Sequence, residues 1–594
     1  MVAPVSERRS GRTERWLRAG TLDEIRHRGV VVVGGIAVFV GPEGSEPGVA
    51  AVDNRCPHMG FPLARGSVCD GILTCHWHHA RFDLATGGTF DPFADDVAVH
   101  RVEVVDGVVW VDPQPVGVPD RAARWAARLE DGLEQSLSLV LIKSVLGLLA
   151  EDRRHAPRRI LEIGARFGAR QRAAGWGPGL TILTAMGNCL GLMAPDERAL
   201  GLFHGLVHVA EDCAGAPTRF QLDPLAGGER DPARLRAWFR QFVEVRNADG
   251  AERVLLTAIE AGVPLPAICE MMVAAATDHY FVNGGHTVDF VNKAFELLDL
   301  IGTEHAATVL PSLVRGMASA TRSEEQNSWR HPIDLVQLAE PSLARLPEVV
   351  RLDGATGWSG GDDFVDVLLG DDPRAIVRAL DDAFAAGAAP RQVTLELAYA
   401  AALRVARFPT SNEFGDWITA LHTFTYCNAL HQAVKRAPSA EVCRGVYHGA
   451  LKVYLDRFLN VPVARLPEEV GTALPGDLFV EGLLDLLDRQ QQVAPAAELV
   501  DGYLRGGGPT GTLWAGLAAA LLREDAEFHT YQMYEAGARL FDELAPTRRD
   551  AARHVAVAVA RYLAAHSPTH RELRQTARIA VRLQRGDDLT ADVE

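Results

Sequence analysis

The chain changes texture once, and that change dictates two kinds of fold. From Val30 to Val111 short β-branched runs (VVVGGIAVFV, GVAAV, GILTC, HRVEVV, GVVWV) are broken by Gly and Asp, which predicts strands in a small β-rich domain. Asp112 to Pro119 is rich in Pro and follows neither period. From about Asp120 onward Ala, Leu and Arg recur at helical spacing, punctuated by Gly, Pro and Asp pairs. The expectation is a multidomain chain with a small N-terminal β-rich domain over 15–113, a Pro-rich linker over 114–120 and a large all-α domain over 121–594.

Composition narrows the function classes. Of 594 residues 47% are apolar and 23% charged, so both parts should pack. The 60 basic against 77 acidic residues leave a net charge of −17, which argues against a general grip on nucleic acid or anionic lipid. No apolar run is long enough to span a bilayer, and Met1 to Trp16 is rich in Arg and Glu without the apolar stretch of a signal peptide. Eight cysteines are too sparse for a secreted disulfide framework in a chain this long. A cytoplasmic protein without membrane partners is expected.

Within the β part, Cys56-Pro57-His58 is followed after sixteen residues by Cys75-His76-Trp77-His78. Two thiolates on one iron and two imidazoles on the other make a [2Fe–2S] cluster of raised potential. Zinc takes the same residue types, but its fingers use C-x-x-C and H-x-x-x-H spacings. Gly60 and Gly66 permit tight turns, and Arg81-Phe82-Asp83-Leu84 with Gly87-Gly88 leads back into a strand. The segment CPHMGFPLARGSVCDGILTCHWHHARFDLATGGTFDP resembles the Rieske ferredoxin-like family. That resemblance implies Cys56, His58, Cys75 and His78 as cluster ligands. It departs at His79, where relatives commonly have Gly, and Met59 and His79 give Cys69 no partner for an inter-loop disulfide. The resemblance therefore implies the lower-potential, ferredoxin or oxygenase type.

The helical part carries a diluted repeat of helix pairs. His286-Thr287, His422-Thr423 and His529-Thr530 each follow an Ala-rich helix, at intervals of 136 and 107 residues, and Phe203-His204-Gly205 is echoed by Tyr447-His448-Gly449. Such long, unequal intervals fit stacked bundles rather than a regular solenoid. His204 and His208 share a helix face in an apolar setting. The histidines 204, 208, 286, 422, 448 and 529 are the candidate ligands of a second metal, with some of them behind the first shell of contacts. Lys452, a turn beyond His448, is read as a solvated lysine and left out. Asp278, Asp416 and Asp525, just before the His-Thr copies, are placed either to orient imidazoles or to cap helices.

The stretch from Gly284-Gly285-His286 through Asn292 to Gly302-Thr303-Glu304-His305 looks like the questin oxidase-like family, as do His204-Gly-Leu-Val-His208 and His422-Thr-Phe-Thr-Tyr-Cys-Asn428. It departs at Gly187-Asn188-Cys189, where the family has a histidine cluster. The resemblance implies oxidation and ring opening of polycyclic aromatic ketones at a histidine-rich iron. Taken together, the expectation is an oxidoreductase in which a Rieske cluster feeds electrons to a mononuclear non-haem Fe(II) that uses O2 to oxidise a bulky polycyclic or polyketide-like, apolar substrate. No G-x-G-x-x-G follows a strand, so a separate NAD(P)H-dependent reductase or ferredoxin is expected as donor. The rival expectation is a Rieske electron-transfer protein whose helical region docks a partner and holds no second metal.

Overall fold

The computed structural model describes residues 15–589 apart from 42–43, 45, 118–119, 228–229, 353–356, 469–470, 472 and 588. Most of the Arg-rich start, and Val118 and Pro119 of the expected linker, lie outside the described residues. A small N-terminal β-rich region is followed by a large helical one. The chain divides into two compact units, one running to Arg153 and taking in the stretch from Gln575, the other Arg154–Arg574.

In the first unit, β1 (Leu17–Thr21), β2 (Val30–Val33), β3 (Ile36–Val40), β4 (Val49–Asp53), β8 (Val99–Val105) and β9 (Val108–Pro115) form one antiparallel sheet in the order β1-β9-β8-β4-β3-β2. A smaller sheet joins β5 (Ser67–Cys69), β6 (Ile72–Thr74) and β7 (Arg81–Asp83). β2 and β3 close on Gly34-Gly35, both at positive φ as a two-residue hairpin turn demands. Alternation sorts the core. Ile36, Val38, Val49 and Ala51 pack with Ile25, Val109 and Val111, whereas Ala37, Phe39 and Val52 pack on the other side with Cys56, Leu73, Cys75 and Phe82. β3 and β4 are thus buried on both faces, which is why they read as near-continuous apolar runs.

The unit is larger than the sequence boundary at 113. β9 runs through Pro115, and helices α2 (Arg121–Glu134) and α3 (Ser138–Glu151) belong to this unit. Arg128 of α2, 3% exposed, pairs with Asp95 and Asp131 and donates to the carbonyls of Pro92 and Ala94. Lys143 of α3 pairs with Asp95 and donates to the Pro57 carbonyl at 2.5 Å. Arg55 donates to the carbonyls of Leu583 and Asp587.

The second unit is helical throughout its regular structure. The helices His286–Ile301 and Phe528–Leu544 each pack on Pro178–Cys189 and on Phe414–Arg436. Phe414–Arg436 is buried nearly all round from Trp417 to Val434, so it has no apolar stripe in the usual sense. Among the described residues no helix is long and apolar enough to cross a membrane.

Candidate metal centres

Two short loops in the first unit repeat one turn. The Cys56 carbonyl accepts from the Gly60 N–H while the Cys56 N–H donates to Phe61, and Cys75 does the same with His79 and Ala80. The fifth residue of each turn must take positive φ, +86° at Gly60 and +62° at His79. His79 therefore occupies a backbone conformation that favours glycine. Cys56 and Cys75 are buried, His58 half-buried and His78 exposed, with the two imidazole centroids 4.9 Å apart. The Cys56 thiol, hydrogen-bonded to Cys75 and buried, is pushed up, and the same bond draws Cys75 down to about 6. Burial takes His58 down to about 4, so its ring is neutral. His58 Nδ1 is buried with no hydrogen-bond partner. An orphaned imidazole nitrogen in the same pair of loops as two free buried cysteines fits a Rieske cluster, its thiolate side in the core and its imidazole side, with His78 exposed, toward solvent. Among the described residues every cysteine is free, Cys69 included.

In the second unit the structure brings His286, His422 and His529 together, with one ligand atom from each within 4.8 Å of the others. Their places in the repeat are not equivalent: His286 opens its helix, His529 is second in its helix, and His422 lies two turns into Phe414–Arg436. The entry to His286 is a left-handed run, Phe281, Asn283, Gly284 and Gly285 all having positive φ. A Cβ on Gly285 would stand 2.9 Å from the Phe281 ring. This strained run is held by Asn283 N–H donating to Thr321 and Ser323 Oγ donating to the Phe281 carbonyl. His422 Nε2 lies 2.8 Å from His529 Nε2. Burial and neighbouring imidazoles take His286 to about 4 and His422 to about 2, so both present neutral nitrogens. The carboxylate that orients an imidazole is Glu527, which accepts from His529 Nδ1 at 2.9 Å and so leaves Nε2 as the ring nitrogen turned to His422. Asp525 instead accepts the backbone N–H groups of Glu572 and Leu573, and Asp278 pairs with Arg240 and Arg444. Sequence reasoning missed Glu527 because a carboxylate two residues before a histidine resembles any helix entry.

The other three candidate histidines lie elsewhere. His204 Nδ1 and His208 Nε2 share the Tyr531 hydroxyl, at 2.7 and 3.4 Å, and His208 Nδ1 meets Glu211. His448 stacks on Tyr280, centroids 4.2 Å apart, with both ring nitrogens unpartnered.

Behind the triad, Gln532 donates to Asp289, and Lys293 bridges Glu296 and Glu535 at 2.8 and 2.6 Å. Arg539 reaches both glutamates. Asn188, in the stretch without histidines, donates to the same two carboxylates. This buried ionic lattice ties the helices that carry His286 and His529. In front, His422 and Gly284 line a cavity of about 520 Å3 walled by Phe281, Trp329 and Leu335. Lys452 also lines it, ion-paired to Asp456, whose second oxygen accepts from Thr423 at 2.5 Å.

Residues 15–100 match the sequence profile of the Rieske [2Fe-2S] domain. Over 62 residues the chain is 36% identical to Apoptosis-inducing factor 3 of Homo sapiens, covering 10% of each protein. Over 106 residues it is 35% identical to the vanillate O-demethylase oxygenase subunit of Pseudomonas sp. (strain HR199 / DSM 7063), covering 16% of this chain and 29% of that one. The chain thus spans less than a third of the length of these curated relatives. A chain from the solved complex of reduced oxygenase and oxidized ferredoxin in carbazole 1,9a-dioxygenase is covered in full by 18% of this chain, at 23% identity and a TM-score of 0.16, which carries no argument. With the profile match and the paired ligand turns, residues 15–100 are a Rieske [2Fe-2S] domain.

Proposed function

We propose that the chain is a Rieske-containing non-haem iron oxygenase. Cys56, His58, Cys75 and His78 would hold the [2Fe–2S] cluster, which supplies one-electron transfer, with a separate reductase or ferredoxin as donor. His286, His422 and His529 would hold a single Fe(II), the site at which O2 is used. Three neutral imidazoles suit iron, and three protein ligands leave positions open for oxygen. The observation that carries the reading is the convergence of three imidazoles from three helices, one of which, His422, lines a largely apolar cavity. In this reading Glu527 keeps His529 in the tautomer that offers Nε2. Phe281, Trp329 and Leu335 exclude water and seat a bulky ring system, a polyketide-like aromatic ketone. The resemblance of 284–305 to the questin oxidase-like family supports oxidation with ring opening.

Metal analysis tests the reading. Anaerobically purified protein with a full cluster should hold one iron beyond the cluster's two. Iron that stops at two, or zinc in the triad, overturns it, and the electron-transfer alternative with a docking module then takes its place.

A further inference from the structure

The cavity beside His422 has an electrostatic character that the apolar reading leaves out. In its wall Asp456 is saturated by Lys452 and Thr423, which makes the Lys452–Asp456 pair neutral overall. Arg457 also lines the cavity. Its guanidinium lies between two rings, 3.8 Å from the Tyr454 centroid and 3.9 Å from that of Phe458, and Nη1 donates to the Tyr454 carbonyl at 3.0 Å. Among the described residues no carboxylate comes within ion-pair distance of it, and an arginine stays charged in any protein setting. Among the residues that line the cavity Asp456 is the one carboxylate, against the two cations Lys452 and Arg457. A cavity of this size with an apolar wall and one uncompensated, ring-clamped guanidinium is built for an anion carried on an aromatic body.

Resting on the oxygenase reading above, we infer that the substrate is an aromatic carboxylate whose ring system packs on Phe281, Trp329 and Leu335 while its carboxylate pairs with Arg457. The stacked rings hold the guanidinium in one plane, so its remaining N–H groups are already oriented toward a carboxylate and less entropy is lost on binding. Arg457 is in this view the residue that sets specificity, fixing which edge of the ring system is turned toward His422. Phe458, two-thirds exposed beside it, forms the outer lip of the site.

The test uses the full chain with 2-naphthoate and its neutral methyl ester, followed by titration calorimetry and by quenching of tryptophan fluorescence. The acid should bind at least tenfold more tightly than the ester, and its affinity should fall with salt while that of the ester does not. Arg457→Met should cost the acid about tenfold to a hundredfold and leave the ester unchanged, and Arg457→Lys should restore part of the loss. Equal affinity for acid and ester in the unaltered chain, or equal loss of both in Arg457→Met, overturns the proposal. Because wild-type selectivity and its salt dependence are decisive alone, a variant that fails to fold does not shelter the idea. Binding is measured apart from metal content. A chain holding only the cluster's iron that still selects the acid would sink the iron reading and keep this one, and a third iron without acid selectivity would do the reverse.

Discussion

His422 and His529 stand 107 residues apart in the chain and 2.8 Å apart at their Nε2 atoms. Two imidazole nitrogens at that distance hold one proton between two lone pairs unless a cation replaces it. Glu527 favours Nε2 of His529 as the acceptor, because its carboxylate accepts a hydrogen bond from Nδ1–H of that ring. In the iron reading proposed above the pair would supply two of the three ligands, and the third, His286, reaches it through the left-handed entry at Phe281–Gly285.

An alanine series should divide along this geometry. His286→Ala, His422→Ala and His529→Ala should each empty the second metal site, and Glu527→Gln should weaken metal affinity about 10–100-fold. His204→Ala, His208→Ala and His448→Ala, whose rings face Tyr531 and Tyr280, should keep the metal. Iron per chain, determined by mass spectrometry, checks the split.

Cys75→Ser should abolish the Rieske electron paramagnetic resonance signal and leave the helical circular dichroism of the 154–574 unit in place. For the same reason a fragment Arg154–Arg574 should be more soluble than one beginning at Asp120, which would carry α2 and α3, with their buried Leu129, Leu133 and Leu141, without the rest of the first unit. Sedimentation and thermal scans of the two fragments make the comparison.

Lys143 donates to the carbonyl of Pro57, between Cys56 and His58. Lys143→Met should lower the midpoint potential of the cluster, because a cation near the site favours its reduced form. Lys143→Arg should hold the potential, and adding Asp95→Asn to Lys143→Met should recover part of it. A redox titration followed by visible absorbance gives the readout.

Lys293→Met removes one of the two cations that bridge Glu296 and Glu535 and leaves Arg539 alone to serve two buried carboxylates. The expected cost is about 3–5 kcal/mol. Denaturant unfolding of the 154–574 unit should register it as a lower midpoint at unchanged slope.

Stability should fall with acid below pH 6.5. Burial holds His204 and His448 each near about 3 against an ordinary value of 6.5, with Arg444 adding to the effect at His448. Between those values the unfolded chain binds protons that the folded chain refuses, so the contribution is complete above pH 6.5 and is lost as the pH drops toward 3. His448→Phe should flatten the slope of urea stability against pH in that window.

The sequence by itself determined what is local. The two Cys-His loops were legible because each is a five-residue turn closed by its own backbone bonds, with its Cys and His inside it. β3 and β4 were legible because a strand buried on both faces admits little but apolar residues. What lay beyond the sequence was convergence. Six histidines carried the same helical and repeated signature, and only packing decided that the rings of 286, 422 and 529 meet while those of 204, 208 and 448 turn to tyrosines. The same holds for α2 and α3: their helical period matches that of the later helices, and their place in the first unit is set by Arg128 and Lys143 finding Asp95. A turn is specified over a few residues, whereas a shared site between helices depends on the rotation and depth of each, which tertiary contacts alone impose.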